Sequence, residues 1–113
     1  MKTLNVIRRQ EDFDRLHRKG KSAGSKHVVF VYIKNDLPYN RTAFLASRKV
    51  GNSVQRHRAV RLMREAFRLL SKEYDMPEGN DLLFIARNTI LDSKCADVKR
   101  SVEAALKRAG YLK

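Results

Sequence analysis

The sequence is poor in the residues that build metal centres, disulfides and catalytic dyads. Its 113 residues include one cysteine, Cys95, which excludes an internal disulfide and a thiolate metal cluster. Its three histidines, His17, His27 and His57, fall in three different predicted elements, and none stands beside a carboxylate at the spacing of an acid–base pair. No pair of carboxylates suggests a metal site either. We therefore expect neither a catalytic residue nor a metal ligand in this chain.

The sequence also lacks long apolar runs and glycine-rich loops. No stretch approaches the length of a membrane span, and the first residues, MKTLNVIRRQEDF, contain no apolar run of signal-peptide length. The five glycines are isolated from one another and show no phosphate-loop spacing. These absences predict a cytoplasmic protein with no membrane partner.

Acidic residues are scarce where basic residues are dense. The chain has 25 Lys and Arg against 12 Asp and Glu, which gives a formal net charge of +13. Between Arg41 and Lys72 nine cations face a single acid, Glu65, so this segment carries +8 of that charge. Concentrated positive charge repels itself and is typical of a protein that binds a polyanion.

Residues 53–74 predict one helix with two different faces. At about 100° per residue, one side presents a row of cations, with His57 and Glu65 on the same strip; we call this row the arginine face, and it consists of Arg58, Arg61, Arg64, Arg68 and Lys72. The opposite side is apolar and consists of Ala59, Met63, Ala66, Phe67 and Leu70. A solvated helix surface is usually laced with acid–base pairs, which are nearly missing here. Arginine rather than lysine favours bidentate phosphate contacts, so the pattern predicts binding to nucleic acid.

The remaining pattern predicts a single α+β domain over residues 1–113. Its order is αββαβα, or αβββαβα if residues 21–25 add a short strand. The helices are expected to cover one face of a small sheet, and residues 1–9 to form a basic arm. The expected elements are a helix at 10–19, a strand at 27–35, a loop at 36–40 leading to an antiparallel return strand at 41–49, a strand at 81–88, and a last helix capped by Asp92 or Ser93.

Two observations favour RNA over DNA as the polyanion. The basic helix is followed by no dimerising heptads, and no helix-turn-helix or zinc-finger spacing is present. The predicted strands also carry Phe30, Tyr32 and Phe44, which could stack on unpaired bases. Ordinary core packing explains any one of these aromatic residues equally well.

The chain resembles the bacterial ribonuclease P protein component. Residues 41–69, RTAFLASRKVGNSVQRHRAVRLMREAFRL, are similar to that family's central motif: a strand ending in Ser-Lys-Lys, a Gly-Asn turn, and a helix that begins with Arg-Asn-Arg and closes in Arg-Glu-Ala-Phe-Arg. Further likeness lies in Glu11-Asp12-Phe13, in Arg18-Lys19-Gly20 and in residues 81–87. The resemblance covers nearly the whole chain.

The resemblance implies a non-catalytic protein subunit of an RNA enzyme that removes the 5′ leader from precursor tRNA. The RNA subunit would carry out the chemistry with Mg²⁺, while the protein would bind no cofactor tightly and need no obligate protein partner. Its partners would be the ribonuclease P RNA subunit and precursor tRNA. The implied fold is similar to domain 2 of ribosomal protein S5, with an unusual left-handed βαβ crossover.

Position by position, the resemblance implies two sets of RNA-binding residues. The set facing the RNA subunit consists of Arg48, Lys49, Asn52, Arg56, His57, Arg58, Arg61, Arg64 and Arg68. The set facing the leader, in a cleft between the first helix and the sheet, consists of Phe13, His17, Val31 and Tyr32, of which the last two compete for one role.

The chain departs from the family pattern at three positions. His57 stands where asparagine is usual and can still donate a hydrogen bond to RNA. Val60 stands where lysine is usual and removes one cation, while His17 replaces a common aromatic residue in the leader cleft. These differences concern the affinity for RNA rather than the function.

Two other functions remain open on the sequence alone. A ribosomal-protein-like module would use the same scaffold and would be found in ribosomal subunits. A protein-only nuclease would cleave precursor tRNA without added RNA.

Overall fold

The α+β class is confirmed, with one more strand than the longer of the two predicted orders. The computed structural model describes residues 5–113, so residues 1–4 of the predicted basic arm lie outside it. Residues 5–6, predicted as part of that arm, form a strand. The elements are β1 (Asn5–Val6), α1 (Gln10–Lys19), β2 (Lys21–Gly24), β3 (Val28–Lys34), β4 (Arg41–Leu45), α2 (Ser53–Glu73), β5 (Asn80–Ala86), a 3₁₀ turn (Asn88–Asp92) and α3 (Cys95–Arg108).

The five strands form one mixed sheet in the order β1-β4-β5-β3-β2. β4 runs parallel to β1 and to β5, whereas β3 is antiparallel to β2 and to β5. The predicted hairpin between β3 and β4 is therefore wrong, because β5 lies between them, and β4 is shorter than the predicted return strand. In the βαβ unit β4–α2–β5, the helix α2 connects two parallel strands that are neighbours in the sheet.

The loop between β3 and β4 is attached to the start of β5 rather than folded as a tight hairpin. Asn35 N donates to Gly79 O at 3.0 Å, and the Asn40 amide donates to Pro77 O at 2.9 Å. Asn80 N in turn donates to the Asn40 side-chain oxygen at 2.8 Å. These bonds attach the loop to the start of β5, the strand that lies between β3 and β4 in the sheet.

One face of the sheet packs against α2 and α3. Phe30, Phe84 and Phe44 stand opposite one another on neighbouring strands, and their ring centroids are 5.0 and 5.1 Å apart. Met63 and Leu70 from α2 are fully buried in the same cluster. Complete burial of such side chains stabilises the fold by about 1.5 to 3 kcal/mol each, so this face carries the main core.

The other face of the sheet packs against α1, so the expectation that all helices cover one face is wrong. Leu16 of α1 is fully buried against Val31 and Leu83, and Ile7 extends the same cluster. Because side chains alternate along a strand, β3 turns apolar residues to both faces. The second apolar face needs its own cover, which α1 supplies.

A buried ionic network fastens α1 to the sheet. Arg41 of β4 donates to Asp81 of β5 at 2.8 and 2.7 Å and lies 3.4 Å from an Asp12 oxygen of α1. Asn35 also donates to Asp81 at 3.0 Å, and Asp81 is only 1% exposed. The hydrogen bonds to Asp81 raise the pKa of the Arg41 guanidinium. Arg41 therefore belongs to the core and not to the surface charge of the basic segment.

The turn after α1 requires glycine for a steric reason. Gly20 has an ordinary φ of −69°, and its N–H donates to Leu16 O at 2.9 Å. A Cβ at this position would lie 2.6 Å from Val31 Cγ1 and would overlap the Leu16 carbonyl. The chain therefore enters β2, which pairs with β3, through a turn that has no room for a side chain.

The last helix begins later than predicted. The 3₁₀ turn occupies Asn88–Asp92, and Ser93 Oγ donates back to Ile90 O at 2.5 Å, so neither Asp92 nor Ser93 caps α3. Lys94 precedes the helix instead, and its N–H donates to an Asp97 oxygen at 3.1 Å.

Candidate nucleic-acid interface

A Gly-Asn turn starts α2 and fixes the direction of the helix. Asn52 accepts a hydrogen bond from Gln55 N at 2.9 Å, and Gln55 returns one to Asn52 N at 2.8 Å. This reciprocal capping box satisfies two backbone donors at the helix start. Gly51 has a φ of +154°, and a Cβ there would lie 2.8 Å from the Gln55 side-chain carbonyl carbon. Only glycine therefore accommodates the capping box in this form.

The two predicted faces of α2 are confirmed. Its buried residues are Ala59, Met63, Ala66, Phe67 and Leu70, the same five that the helical periodicity selects. Arg58, Arg61 and Arg64 are exposed on the opposite side, and His57 is exposed with them. Val60 is partly buried and packs against the core, so its side chain adds to packing instead of charge.

Most of the arginine face has no internal counter-charge. Within residues 5–113 its one ion pair joins Arg68 to Glu65, at 2.5 Å. Arg68 holds the pKa of the Glu65 carboxyl below its usual value. Arg58, Arg61 and Arg64 make no ion pair with any acid in the described part of the chain. Their charge is directed to solvent.

The turn before α2 adds two further cations beside the arginine face. Arg48 and Lys49 are both exposed in the turn at 48–50. Arg56 follows in the first turn of α2; it is partly buried, and its Nε is a buried donor with no hydrogen-bond partner among residues 5–113. The candidate RNA-subunit residues thus lie on two consecutive segments, the turn and the helix.

A groove adjoins the arginine face. Its volume is about 200 Å³, and Phe13 of α1, Phe44 of β4 and Arg64 of α2 all line it. The Arg64 guanidinium carbon lies 5.6 Å from the Phe44 ring centroid, within the range of a cation–π contact. The groove therefore offers an aromatic edge, an apolar floor and one cation.

The four predicted leader residues are divided between two faces of the sheet. Phe13 and Val31 both pack in the cluster beneath α1, and His17 is exposed one helical turn after Phe13. Tyr32 lies on the opposite face, where its ring stacks 5.5 Å from Phe30 and its hydroxyl donates to Ala109 O at 3.3 Å. Of the two competing strand residues, Val31 therefore shares a face with Phe13.

The described residues contain no group of three or more His, Cys, Asp and Glu side chains that could hold a metal ion. Within the same residues, no helix has the length and apolarity needed to cross a membrane.

Comparison with known proteins identifies the family of this chain. The model of the Ribonuclease P family matches residues 1–110. The ribonuclease P protein component of Pelotomaculum thermopropionicum is 42% identical over 109 residues, which covers 96% of each chain. That of Clostridium botulinum is 40% identical over 106 residues, covering 94% of this chain and 95% of the relative.

The chain belongs to the ribonuclease P protein family. Proteins of this family are part of the endoribonuclease that removes the 5′ leader from precursor tRNA, so the function predicted from the resemblance is confirmed. The same match sets aside the ribosomal module, and reconstitution from purified parts tests the protein-only nuclease.

Solved structures of the ribonuclease P protein share the fold. The protein from Staphylococcus aureus superposes with a TM-score of 0.83 at 27% identity, covering 98% of this chain and 100% of that one. The protein from Thermotoga maritima gives a TM-score of 0.79 at 27% identity, covering 92% and 96%.

The groove beside α2 could not be predicted from the sequence. Of the strand aromatics predicted to stack on bases, Phe44 lies partly buried under Arg64, and Phe30 is fully buried in the core. Val6 and Leu45 line the groove and are large exposed apolar residues, at 49% and 41%. The one available signal was the apolar pair Val6-Ile7 inside an otherwise basic arm.

Proposed function

We propose that the arginine face and the turn before α2 bind the RNA subunit of ribonuclease P. The observation that carries this proposal is that Arg58, Arg61 and Arg64 are exposed and make no ion pair within residues 5–113. Arginine forks match phosphate geometry, and a catalytic RNA supplies phosphates at the spacing of a continuous strand. The contacting residues would be Arg48, Lys49, Asn52, Arg56, His57, Arg58, Arg61, Arg64 and Arg68.

The groove beside Phe13 is proposed to contact the 5′ leader of precursor tRNA. A single-stranded leader presents unstacked bases and phosphates, which match an aromatic edge and a cation. Phe13 and Arg64 supply these two groups in one groove. His17 and Val31 would extend the contact along α1 and the sheet, and Tyr32 would act from the opposite face through packing alone.

Residues 1–113 would act as one RNA-binding unit in the cytoplasm. Mg²⁺ would be held by the RNA subunit, where phosphate oxygens provide the hard ligands that this ion prefers. The protein would lower the Mg²⁺ needed by placing cations near RNA phosphates, and it would require no further protein partner.

The decisive experiment reconstitutes the enzyme from purified parts. We expect no cleavage of precursor tRNA by the protein alone at any Mg²⁺ concentration. Adding the RNA subunit should give cleavage at a Mg²⁺ concentration at which the RNA alone is slow. Cleavage by the protein alone, or no effect of the protein on the RNA, would contradict the proposal.

A second assay tests the leader groove. Phe13→Ala should raise the KM for a precursor with a long leader while leaving the KM for a one-nucleotide leader unchanged. Tyr32→Phe, which removes only the hydroxyl bonded to Ala109 O, is the matched control and should change neither. If Phe13→Ala raised the KM for both substrates equally, the proposal that the groove binds the leader would be contradicted.

A further inference from the structure

A second cavity lies away from the arginine face, and nothing in the proposed function uses it. It has a volume of about 560 Å³ and is lined by the loop between β2 and β3, the 3₁₀ turn and α3. None of its lining residues in the described part of the chain belongs to α2. Small-molecule sites usually measure about 300 to 1,000 Å³, so the cavity is large enough for one nucleotide.

The wall of this cavity contains a histidine whose tautomer is set by its neighbours. Thr89 Oγ1 donates to Lys26 O at 2.9 Å, so its one proton is used. Thr89 Oγ1 must then accept from His27 Nδ1, which lies 3.0 Å away. A neutral imidazole with its proton on Nδ1 has a free lone pair on Nε2. Within residues 5–113 Nε2 has no hydrogen-bond partner, so it is an acceptor available to a ligand.

The backbone around His27 is held rigidly, although the segment is a loop. His27 N donates to Ser101 Oγ of α3 at 2.9 Å, and Ser101 Oγ lies 2.6 Å from Ser25 Oγ. His27, Ser25 and Ser101 are all buried, at 6% to 7% exposure. Burial also lowers the pKa of His27, an effect that Lys26 reinforces and Asp97 opposes. The imidazole is therefore kept neutral and fixed in direction.

The charged groups around the cavity separate into used and unused ones. Asp97 accepts from Lys94 N and from Arg100 at 2.6 Å, so its charge is matched. Arg108 uses one nitrogen on Gly24 O at 3.1 Å and has donors left over. Lys26 and Asp92 make no side-chain hydrogen bond within the described residues and are exposed. Arg100 is paired with Asp97, so the groups without a charged partner in the described residues are Lys26, Arg108 and Asp92, together with the His27 acceptor.

We propose that this cavity binds one ribonucleotide. Lys26 and Arg108 would bind its phosphate, while Asp92 and His27 Nε2 would accept hydrogen bonds from the ribose hydroxyls or from base N–H groups. Carboxylates commonly accept from ribose hydroxyls in nucleotide sites, and paired cations commonly bind phosphate. The nucleotide can be free or can belong to an RNA chain, since both present the same groups.

This site is independent of the RNA-subunit surface. Its residues come from elements other than α2, so its occupancy does not require any contact of the arginine face. The site can therefore fail while the proposed function holds, and the reverse is equally possible.

The test is a nuclear magnetic resonance titration of the full-length protein with GMP, AMP, guanosine, inorganic phosphate and a single-stranded RNA pentamer. We expect GMP or AMP to shift the amide signals of Lys26, His27 and Ser101, and guanosine to bind at least tenfold more weakly. Lys26→Gln with Arg108→Gln should weaken nucleotide binding at least tenfold. Both residues are exposed, so this variant should keep the native spectrum.

Two further variants separate the site from general anion binding. Thr89→Val removes the acceptor that orients His27 and should weaken binding several-fold without changing net charge. Arg58→Ala with Arg61→Ala removes two cations from the arginine face and should leave the nucleotide affinity unchanged. A pentamer that binds at the same residues more tightly than GMP identifies RNA as the source, and equal affinities identify a free nucleotide.

Three results would overturn the proposal. The first is the absence of shifts around His27 at millimolar nucleotide. The second is a set of shifts confined to the arginine face. The third is an equal response to inorganic phosphate alone, because the cavity would then distinguish only an anion.

Discussion

Arg41 and Arg61 are the same side chain in opposite settings. The Arg41 guanidinium lies between Asp81, at 2.7 Å, and Asp12, at 3.4 Å, and is mostly buried. Arg61 is exposed on α2 and forms no ion pair within residues 5–113. Both fall in the same densely basic segment of the sequence. A count of cations therefore overstates the binding surface by including a residue that belongs to the core.

The energetic difference between the two settings follows from desolvation. A buried charge destabilises the fold unless it is paired, whereas an exposed charge keeps its hydration at almost no cost. The exposed arginines instead repel one another, by a few tenths of a kcal/mol for each pair one helical turn apart. Arg41 therefore stabilises the free protein, and the arginine face becomes favourable only with a polyanion.

The largest expected effect comes from removing the core arginine. Arg41→Met should lower the free energy of unfolding by about 3 kcal/mol, because it leaves the buried Asp81 without its cation. Urea denaturation measures this change. Arg9→Met is the matched control, since Arg9 pairs with Glu11 while both side chains are more than 70% exposed, at 77% and 74%; its cost should stay below about 0.5 kcal/mol. Equal losses in the two variants would erase the distinction between Arg41 and a surface cation.

The second expected effect is on RNA binding and not on stability. Arg58→Ala with Arg61→Ala should weaken binding to the RNA subunit by about 10- to 100-fold and make the log–log salt slope shallower by about 1 to 2. The free energy of unfolding should stay the same or rise, because like-charge repulsion is relieved. Filter binding at several salt concentrations gives affinity and slope together.

Removal of two cations from α3 provides the control for this variant. Lys99→Ala with Lys107→Ala changes the net charge by the same amount, but these lysines pair with Glu73 and Glu103. It should change RNA affinity only slightly. If both double variants lose affinity equally, the interaction depends on net charge and the arginine face has no special role.

The helical periodicity of α2 was sufficient to predict both of its faces. Each side chain on a helix is positioned by its own place in the sequence, so Met63 and Arg61 could be assigned to opposite sides without tertiary information. The Asn52 cap depends on local sequence for the same reason, since its partner Gln55 is three residues away. Local sequence was therefore sufficient to predict most of the candidate RNA-binding surface.

The partners of Arg41 and the order of the strands could not be predicted in this way. Asp81 lies 40 positions after Arg41, and no local pattern joins the two. The short loop before β4 resembled a hairpin turn, but the Asn35 and Asn40 side chains bond to residues around the start of β5 instead. Neither the second core beneath α1 nor the separation of Val31 from Tyr32 could be read before the sheet was assembled.

The third effect tests whether a small divalent anion reduces the repulsion among the cations of the arginine face. Sulfate should raise the thermal midpoint by a few degrees relative to chloride at equal ionic strength, because it binds the folded state preferentially. The double variant Arg58→Ala with Arg61→Ala should lose most of this increase, while Arg41→Met should keep it from its lower starting value. A thermal midpoint that does not respond to sulfate in the wild-type protein would contradict the repulsion assigned to this face.

The smallest effect concerns Glu65, whose carboxylate pairs with Arg68 as Asp81 pairs with Arg41. Arg68 pairs with Glu65 at 2.5 Å, but both side chains are substantially exposed, at 37% and 44%. Glu65→Gln should release Arg68 toward phosphate, tighten RNA-subunit binding about two- to threefold and steepen the salt slope by less than about 1. Glu73→Gln makes the same charge change on the same helix, where the acid pairs with Lys99 of α3, and should leave RNA affinity nearly unchanged. Weaker binding after Glu65→Gln would mean that Glu65 orients the Arg68 guanidinium for RNA. An arginine held by an ion pair would then bind RNA more tightly than an unpaired one on this exposed face.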